Sequence, residues 1–540
     1  MSAFDESSSA AAPELPRPRD ARGATAGDLA QRLGAQLRAP SGGATGSRVA
    51  ERARLTGVTL DSRAVQPGDL WCALPGARAH GAEFAAQAAQ LGALAALTDE
   101  AGAQRCADAG LIVLVAADPR EATAPAAAIV YGEPAKRLQT IGVTGTNGKT
   151  SITMMVQEAL LSFGRPAGVI GTSGTAYRDA SGIDHQIATV RTTPEAPELH
   201  GILARMADDG VQVCAMEISS HALVLHRADD VVCTVACFTN LTQDHLDFHG
   251  SMEEYFAAKA RLFTPAHASS GIVCVDDEWG RRLAAEASIP VTTYATRPGL
   301  AADVIATDVA AEGFGSVFTA RTAQREQRLR APLPGRHYVA NTVGAWLLLR
   351  AVGVDPESAA RGLATAVVPG RLEQVAEHPV RGVVDYSHTA DAIEQALVTL
   401  RAVPGTRCII AVIGAGGDRD RTKRPIMGAT AAAGADVVIV TDDNPRTEDP
   451  AAIRADVAAG IPTDSSAEVH VVDGRGRAIE LAARLAGVGD TILVAGKGAE
   501  TGQDIGGIVH PFDDRVRLRA ALADRESNAS QTRDGEHRAC

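Results

Sequence analysis

The chain has 540 residues, too many for one hydrophobic core, and its length predicts about three or four domains. Its 45% hydrophobic and 22% charged residues have the balance of a globular protein, which excludes fibrous and mainly disordered classes. The formal net charge of -13, from 52 Lys and Arg against 65 Asp and Glu, argues against a nucleic-acid partner bound through its phosphates.

The apolar stretches, the N-terminus and the cysteines indicate where in the cell the protein is located. No stretch approaches about 18 uninterrupted apolar residues, and the N-terminus is acidic and polar, unlike a signal peptide. We therefore expect a cytoplasmic protein with no membrane partner. The closest pair among the scattered cysteines, Cys233 and Cys237, stands in an apolar run that is typical of buried thiols, and we expect no disulfides.

The first part of the chain divides into a leader and a small domain. Residues 1–46 have no sustained periodicity, and we expect them to be mostly disordered. From residue 47 to 137, short β-type runs and a helical stretch predict a small α/β domain. A polar run at 59–63, which includes Ser62, could line a ligand site, although these residues alone favour a turn with a solvated arginine.

The stretch IGVTGTNGKTS at 141–151 lies between a short apolar run and a helical pattern. A strand, a glycine-rich turn and a helix in this order are typical of a loop that binds phosphates, because glycines let backbone N–H groups point at phosphate oxygens. Lys149 adds a positive charge, and the Thr150 hydroxyl can reach a magnesium ion. Val143 occupies the place of the first glycine in the strict motif, and an ordinary glycine-rich turn is the alternative. The loop residues expected to contact the nucleotide are Gly145, Thr146, Asn147, Gly148, Lys149, Thr150 and Ser151.

Polar residues follow two further apolar runs of this second domain, which we place at 138–368. Glu217 follows one run, and Asn240, Asp244 and His245 follow another. In an open parallel sheet such positions share one edge, so we expect them to face the phosphate loop, where a carboxylate and an imidazole would suit magnesium. A helix cap or a surface charge is the alternative for Glu217, and a capped turn is the alternative for the cluster at Asp244 and His245.

The segment 251–263 predicts an amphipathic helix that begins with a capping box of Ser251 and Glu254. Lys259 lies on or beside its apolar stripe. From spacing alone, the favoured interpretation is a lysine whose ammonium extends to solvent.

From residue 369 to 525, strand-like runs alternate with helical stretches and predict a third α/β domain, followed by a flexible tail at 526–540. Polar clusters fall where most of the runs stop, and parallel strands would gather them into one crevice. This crevice would suit a zwitterion such as an amino acid, and a salt-bridged rim is the alternative. Its charged residues are Arg419, Arg421, Arg424, Asp443, Arg446 and Glu500.

Eight motifs occur in the order found in one enzyme family. They are GTNGKT, MEISSHAL, FTNLTQDHLDFHGSMEEYFAAKARLF, LPGRHYVAN, PGRLEQV, VDYSHTADAIE, GGDRDRTKRPIMG and DNPR. In these motifs the chain resembles the Mur ligases, and among them the MurE-type tripeptide synthetases, over residues 55–515. The resemblance implies a UDP-binding domain at 47–137, a central P-loop-type ATPase sheet at 138–368, and a C-terminal Rossmann-like sheet at 369–525 that binds an amino acid.

The resemblance also implies a reaction, the formation of an amide bond driven by ATP. The γ-carboxylate of D-glutamate in UDP-N-acetylmuramoyl-L-alanyl-D-glutamate attacks the γ-phosphate and gives an acyl phosphate. The amino group of the third amino acid then displaces phosphate. Such chemistry needs positioning and charge neutralisation, and magnesium ions contribute to both. We expect a monomer that uses ATP and Mg²⁺.

Residue by residue, the resemblance implies catalytic roles for Lys149, Lys259 and His245. Lys259 matches a lysine that is carbamylated by carbon dioxide, and a carbamate oxygen can ligate magnesium where an ammonium cannot. This role replaces the interpretation from spacing. The implied metal ligands are Thr150, Glu217, His245 and carbamylated Lys259. The further nucleotide contacts are Asn341, Arg371 and Asp385, and the UDP-substrate contacts are Ser62, Thr192, Thr193, Ser219 and Arg227.

The DNPR motif resembles the signature of relatives that add meso-diaminopimelate, with Arg446 gripping a carboxylate through two hydrogen bonds. The same reaction with L-lysine or another diamino acid is the alternative. A nucleotide-dependent regulatory protein that makes no product is the alternative from another class. The other residues of the implied pocket are Arg424, Asp443, Asn444, Pro445, Gly496 and Glu500. Departures from the family pattern are Arg191, Ala390, Ala415 and Ala499.

Overall fold

The computed structural model describes residues 16–19, 22–41 and 47–536. The chain divides into two compact units, and each has its own sheets and helices. The first contains the residues up to Ile305 with Thr322–Gln324 and Val343–Gly362, and the second contains Ala306–Arg321, Arg325–Thr342 and the residues from Leu363 onward.

A small α/β sheet forms the N-terminal part of the first unit. Its elements are β1 (Ala24–Thr25), α1 (Ala26–Leu33), β2 (Gln36–Arg38), α2 (Ser47–Arg52), β3 (Arg54–Leu55), β4 (Gly57–Thr59), β5 (Asp69–Cys72), α3 (Ala85–Gln90), β6 (Ala95–Thr98), α4 (Glu100–Asp108), β7 (Ile112–Val115) and α5 (Pro119–Val130). The sheet has the order β2-β7-β6-β5-β4, in which β4 to β7 are parallel and β2 is antiparallel. The predicted α/β character of this region is confirmed.

Part of the predicted disordered leader is folded. In the cap of α1, the Asp28 N–H donates to the Thr25 hydroxyl at 3.1 Å, and the Leu29 side chain is buried in the same core as Leu55. The prediction of disorder is therefore wrong for 22–41, because a short alanine-rich helix has too few large apolar residues to reveal its buried face. Leader residues 1–15, 20, 21 and 42–46 lie outside the described part of the chain.

A larger sheet forms the rest of the first unit. Its elements are β8 (Gln139–Thr144), α6 (Lys149–Ser162), β9 (Ala167–Gly171), β10 (Gly174–Arg178), β11 (Asp184–Ile187), α7 (Ala196–Asp208), β12 (Val213–Glu217), α8 (Ser220–Val224), β13 (Val235–Phe238), α9 (Leu246–His249), α10 (Met252–Ala260), β14 (Gly271–Cys274), α11 (Glu278–Glu286) and β15 (Val291–Ala295). Six parallel strands follow the order β9-β12-β8-β13-β14-β15, and β10 and β11 add an antiparallel edge. The strand β8 is therefore central, and the loops after β8, β12 and β13 leave the same edge of the sheet.

The second unit is built on a six-stranded sheet. The elements that follow β15 along the chain are β16 (Val304–Glu312), β17 (Gly315–Arg321), β18 (Glu326–Ala331), α12 (Arg336–Ala351), α13 (Pro356–Ala364), β19 (Glu373–Ala376), β20 (Arg381–Asp385), α14 (Ala390–Arg401), β21 (Ile409–Ala415), α15 (Lys423–Gly434), β22 (Val437–Asp442), α16 (Pro450–Ala458), β23 (Glu468–Val471), α17 (Arg475–Leu485), β24 (Thr491–Ala495), β25 (Gly502–Ile505), β26 (Ile508–Pro511) and α18 (Asp514–Glu536). Among these, Val343–Gly362, which covers most of α12 and α13, belongs to the first unit. The sheet order is β19-β20-β24-β21-β22-β23, parallel except at β19, and helices alternate with its strands. This confirms the predicted Rossmann-like sheet.

The last helix extends into the predicted C-terminal tail. Since α18 continues to Glu536, the residues 526–536 are helical, and the flexibility of this tail stays a prediction. Residues 537–540 lie outside the described part. Within the described residues, the structure contains no helix with the length and apolar character needed to span a membrane.

The described cysteines are free thiols, and most are buried, as their apolar sequence surroundings predict. Burial raises the pKa of the Cys72 thiol and of the Cys233 thiol to about 12. These thiols are consequently protonated and unreactive at neutral pH while the protein is folded. The buried cysteines are Cys72, Cys106, Cys214, Cys233, Cys237 and Cys274, and Cys408 is half-buried.

Candidate active site

The glycine-rich loop lies between the end of β8 and the start of α6, as its sequence predicts. Gly148 caps the helix with a φ of 89°, and Gly145 has a φ of 142°. A Cβ on Gly145 would stand 1.9 Å from the Thr239 hydroxyl oxygen, so only glycine fits there. A loop of this shape directs the first N–H groups of α6 outward, where they can bind an anion.

A segment after β13 holds this loop in place. The Thr146 N–H donates to the Asn240 carbonyl at 2.9 Å, and the Asn147 N–H donates to the Asn240 side-chain oxygen at 3.0 Å. The Thr239 hydroxyl donates to the Asn147 carbonyl at 2.6 Å. The structure therefore brings Asn240 against the phosphate loop, as the sequence predicts, and the loop is shaped by the protein itself.

Two lysines converge on the loop. Lys149 Nζ donates to the carbonyls of Gly145 and Thr146, each at 2.9 Å. Lys259 Nζ, on α10, donates to the same Gly145 carbonyl at 2.9 Å. Positive charges held at one carbonyl repel each other, and an anion between them would relieve this repulsion.

Lys259 is buried, with 1% of its surface exposed, and its Nζ lies 4.5 Å from the centre of the Tyr255 ring. Burial, and then the nearby charge of Lys149, hold the pKa of Lys259 well below its ordinary value. The interpretation from spacing, an ammonium extending to solvent, is therefore wrong. The structure therefore places a buried amine beside the phosphate loop, and its lowered pKa lets it lose its proton more readily than an ordinary lysine does.

Glu217, at the end of β12, is also buried beside the loop. Its Oε1 accepts from the Thr150 hydroxyl at 2.9 Å and from the Thr172 N–H at 2.8 Å. A buried carboxylate paired with hydroxyl groups offers the hard oxygen ligands that magnesium prefers. Among the described residues, no group of three or more His, Cys, Asp or Glu side chains could hold a metal. Glu217 and Thr150 thus fit magnesium, and the remaining ligands would have to come from other groups, such as nucleotide phosphates.

His245 lies on the same side of the site. It precedes α9 with a φ of 52°, and its ring centre is 6.2 Å from that of Tyr255, the residue that contacts Lys259. Its Nε2 is 3.4 Å from an oxygen of Asp244, and its side chain is half-exposed. His245 therefore shares a neighbourhood with Lys259, while its role as a metal ligand stays a prediction.

The predicted UDP-substrate residues fall into two groups. The Thr193 hydroxyl donates to the Glu217 carbonyl at 2.8 Å and accepts from the Ser219 N–H at 3.0 Å, and Thr192 contacts Thr172. These residues therefore lie beside the predicted metal site. Ser62 is elsewhere, on a turn where its hydroxyl donates to Gln87 and where Asp61 pairs with an exposed Arg63. That turn matches the solvated-arginine alternative.

Arg227 belongs to a cluster that the sequence did not reveal. Its Nε lies 3.0 Å from an oxygen of Glu195, and Arg120 and Arg191 lie 3.0 Å and 3.6 Å from Glu195. Three guanidinium groups surround one carboxylate, so the cluster carries excess positive charge and suits an anion. Arg120 comes from α5, far away in the sequence, and no local pattern could have placed it here.

The nucleotide residues predicted in the second unit occupy a loop, the end of a strand and a helix. Asp385 accepts from the Leu372 N–H at 2.7 Å and from the Ser387 N–H at 2.9 Å, which fixes its carboxylate at the end of β20. The neighbouring Arg371 guanidinium stacks 4.4 Å from the Tyr386 ring. Asn341 is buried on α12. Arg371 and Asp385 are thus brought together, and their contacts with a nucleotide stay predictions.

The predicted amino-acid pocket forms where β22 and β24 end. Asn444 Nδ2 donates to Glu500 Oε2 at 2.9 Å, and Arg446 Nη1 donates to the Gly417 carbonyl at 2.7 Å. Gly496 has a φ of 119°, and a Cβ there would stand 2.3 Å from Asp443 Oδ2. The structure thus brings the DNPR loop together with the loops after β21 and β24. Pro445 is buried within the same loop.

Arg424 is placed differently from the prediction of a substrate contact. Its side chain is 1% exposed, and its guanidinium donates to Glu448 at 2.9 Å and to Asp456 at 3.0 Å. The hydrogen bond from Arg424, followed by the one from the Asp418 N–H, lowers the pKa of Glu448 to about 2. Arg421 also pairs with Glu448, at 2.8 Å. This part of the crevice matches the alternative of a salt-bridged rim. A substrate carboxylate could bind Arg424 only by displacing Glu448 from it.

A fully buried ion pair lies beneath this pocket. Arg475 donates from Nε and Nη2 to both oxygens of Asp514, at 2.7 Å and 2.6 Å, and both side chains are 0% exposed. The same guanidinium donates to the carbonyls of Asp442 and Ala495, at 3.1 Å and 2.9 Å. It therefore ties together the ends of β22 and β24 from which the pocket loops leave.

Comparisons with known proteins fit this geometry. Three family models match the chain: the Mur ligase family catalytic domain at 54–142, the Mur ligase middle domain at 143–349, and the Mur ligase glutamate ligase domain at 370–498. A Streptomyces coelicolor protein named UDP-N-acetylmuramoyl-L-alanyl-D-glutamate--2,6-diaminopimelate ligase is 48% identical over 516 residues, or 94% of this chain and 98% of that protein. A Corynebacterium glutamicum protein of the same name is 43% identical over 515 residues, covering 93% and 98%. A solved structure of a ligase of that name has a TM-score of 0.64 at 32% identity and covers 88% of this chain and 96% of its own.

Fold and site together define an α/β protein with a glycine-rich loop that can bind an anion, and a buried amine and a buried carboxylate stand beside this loop. The family models and the relatives cover nearly the whole chain. The chain belongs to the Mur ligase family.

Proposed function

We propose that this chain is an ATP-dependent ligase of peptidoglycan precursor synthesis. It would join meso-diaminopimelate to the D-glutamate γ-carboxyl of UDP-N-acetylmuramoyl-L-alanyl-D-glutamate. The names of relatives at 48% and 43% identity support this reaction. The choice of meso-diaminopimelate rests on one observation, the pocket in which Asn444 contacts Glu500. Arg446 lies on the same DNPR loop as Asn444.

In the first half-reaction, the substrate carboxylate oxygen attacks the γ-phosphorus, and the bond between the γ-phosphorus and the bridging oxygen breaks to release ADP. The protein has to align these groups and neutralise their charge. The N–H groups that begin α6 and the Lys149 ammonium would bind the phosphate oxygens. Lys149 would then exchange its contacts with the loop carbonyls for phosphate oxygens.

Magnesium, when bound, supplies further neutralisation of the phosphate charge. Thr150 and Glu217 would hold it, with His245 and the carbamate of Lys259 as further ligands. Burial of Glu217 and the low pKa of Lys259 support this set.

The UDP substrate would be held beside this centre. Thr192, Thr193 and Ser219 lie next to Glu217 and can hydrogen-bond the dipeptide end of the substrate. The positive excess around Glu195 would bind an anionic group of the same substrate, with Arg227 as the contact implied by the family. The uridine would bind near Ser62.

In the second half-reaction, the amino group of meso-diaminopimelate attacks the acyl carbon, and inorganic phosphate leaves as the new C–N bond forms. The pocket after β22 and β24 would hold the far end of this amino acid, which carries both an ammonium and a carboxylate. Glu500 and Asp443 would bind the ammonium, and Arg446 and Asn444 would bind the carboxylate.

We further propose that the residues 47–137, 138–368 and 369–525 bind the UDP moiety, ATP and the amino acid, respectively, in a cytoplasmic monomer. The three largest sheets of the described residues, with 5, 11 and 6 strands, support this division.

Replacement of Arg446 by alanine should raise the KM for meso-diaminopimelate by about 10- to 100-fold, because a hydrogen-bonded charge contact to one carboxylate is lost. The KM for L-lysine, which lacks that carboxylate, should change little. We would measure ADP release and product mass with both amino acids. The control is Arg401→Ala, an exposed arginine of the same unit that pairs with Asp436. An equal rise in the KM values for both amino acids would contradict the assignment of Arg446.

The alternative function, a nucleotide-dependent regulatory protein, predicts ATP turnover without any amide product. The same assay distinguishes the two. If L-lysine serves the wild type as well as meso-diaminopimelate does, the ligase assignment stands and the choice of amino acid is wrong.

A further inference from the structure

Lys497 lies at the centre of the amino-acid pocket but was not among its predicted residues. It follows β24 and Gly496, and its side chain is 0% exposed. Its Nζ donates to Asn444 Oδ1 at 3.0 Å, to Glu500 Oε2 at 2.8 Å and to the Gly502 carbonyl at 2.6 Å. An ammonium has three N–H groups, and these three acceptors use all of them. Lys497 therefore has no donor left for a ligand and can act only through its neighbours.

The first of these neighbours is the Asn444 side chain, whose orientation is determined by the groups around it. Asn444 Oδ1 faces two donors, Lys497 Nζ and the Asp504 N–H at 3.0 Å. Its Nδ2 faces Glu500 Oε2, which can only accept when the carboxylate is ionised. Rotation of the amide by 180° would place two N–H groups against two donors, which no proton arrangement can satisfy.

This orientation decides which hydrogen-bonding group of the Asn444 side chain is left for a ligand. Both groups that face its oxygen are donors of the protein, so the oxygen is occupied. Among the groups that the structure describes, Glu500 is the acceptor for Nδ2, and an amide nitrogen carries two N–H groups. Asn444 can therefore offer an N–H to a substrate oxygen, and it is held against offering its oxygen to a substrate ammonium.

The second neighbour is Glu500. Its Oε2 accepts from both Lys497 and Asn444, while the side chain is 39% exposed. Oε1 is thus the oxygen left for a ligand, and the Lys497 charge balances that of the carboxylate. The pocket then has acceptors at Glu500 and Asp443 and donors at Asn444 and Arg446.

We propose that Lys497 is a positioning residue that sets the specificity of this pocket for an amino acid whose far end carries both an ammonium and a carboxylate. It does so by fixing the amide of Asn444 with its N–H toward the carboxylate and by reserving one oxygen of Glu500 for the ammonium. This inference rests on the proposed function. Without Lys497, only the Asp504 N–H still donates to the Asn444 oxygen, so the amide is held less firmly. It then rotates more readily to present its oxygen, which favours a substrate with an ammonium alone, such as L-lysine.

The test compares steady-state kinetics of Lys497→Met with the wild type for ATP, the UDP substrate, meso-diaminopimelate and L-lysine. We expect the KM for meso-diaminopimelate to rise about 10- to 100-fold, while the KM for ATP changes less than about 2-fold. The ratio of kcat/KM for meso-diaminopimelate to that for L-lysine should fall by a similar factor. Arg401→Met, which also removes a cation from this unit, should leave the KM for meso-diaminopimelate and the ratio of kcat/KM values unchanged. An unchanged KM for meso-diaminopimelate in Lys497→Met overturns the proposal.

A double-mutant cycle separates positioning from a general structural role. In an Asn444→Ala background, Lys497→Met should change the KM for meso-diaminopimelate by less than about 3-fold, because its main target is gone. Fully additive losses would overturn the proposal. If Lys497→Met fails to fold by circular dichroism, Asn444→Asp replaces it, since an aspartate still accepts from Lys497 but offers no N–H. That variant should show the same selective rise in KM, and a wild-type KM would overturn the proposal.

The outcome for the wild type distinguishes failure of the proposed function from failure of the Lys497 proposal. A wild type that forms no tripeptide refutes the proposed function, and the inference falls with it. A wild type that forms the tripeptide, together with a Lys497→Met variant of unchanged selectivity, refutes the inference alone.

Discussion

Replacing Lys259 by alanine should lower the ligation rate by about 1000-fold or more, because it removes a charge-stabilising group from the phosphoryl-transfer site. The lowered pKa of Lys259 favours loss of its proton, and in the unprotonated form the amine can attack the carbon of carbon dioxide. A new N–C bond forms, one N–H proton passes to water, and the carbamate carries a negative charge. Lys149, whose Nζ contacts the same Gly145 carbonyl, would stabilise that charge. The measurement is ADP release with ATP, magnesium and both other substrates.

Two controls make this prediction specific. Lys136→Ala removes an exposed lysine of the same unit that pairs with Glu133, and it should leave the rate unchanged. Short carboxylic acids added to Lys259→Ala should restore part of the rate, since they can supply the missing carboxylate oxygens. In the wild type, ¹³C-labelled bicarbonate should give a carbamate carbon signal that is absent from the variant. A near-normal rate in Lys259→Ala would remove the carbamate from the mechanism.

Replacing Arg475 by methionine should lower the free energy of unfolding of the second unit by about 3 to 5 kcal/mol. The substitution leaves the Asp514 carboxylate buried without its cation, and it also leaves the Asp442 and Ala495 carbonyls without their donor. A buried charge that loses its partner costs far more than an exposed one. Urea unfolding followed by far-ultraviolet circular dichroism measures the change.

The matched control lies two residues away on the same helix. Arg477 forms an exposed pair with Asp473, with both side chains about two-thirds exposed, so Arg477→Met should cost less than about 1 kcal/mol. The double variant Arg475→Met with Asp514→Leu should recover much of the loss, since it removes the unpaired charge. A loss below about 1 kcal/mol in Arg475→Met alone would show that the pair is not needed.

The local features of the fold could be predicted from the sequence. The β8 strand, the glycine-rich loop and α6 follow from an apolar run, from glycines that allow a positive φ at Gly145, and from helical periodicity. The meeting of Glu217 with the loop was also predictable, because parallel strands end at one edge of a sheet. Each of these signals lies within a few residues of chain.

Features that depend on distant residues could not be predicted in this way. Arg120 reaches Glu195 from a helix 75 residues earlier, and Lys497 reaches Asn444 across 53 residues. The capture of Arg424 by Glu448 likewise depends on packing between two loops. Side-chain partners of this kind are chosen by tertiary geometry, whereas periodicity and turn chemistry report only on the local chain.

The distribution of thiols has a practical consequence. The six buried cysteines all belong to the first unit, and the one described cysteine of the second unit is half-buried. A disulfide reagent can reach a buried thiol only when its surroundings open, so the slow phase of the reaction measures how often the first unit opens. Measured at increasing denaturant concentrations, the rate of thiol labelling would distinguish fluctuations that expose part of that unit from those that unfold it entirely.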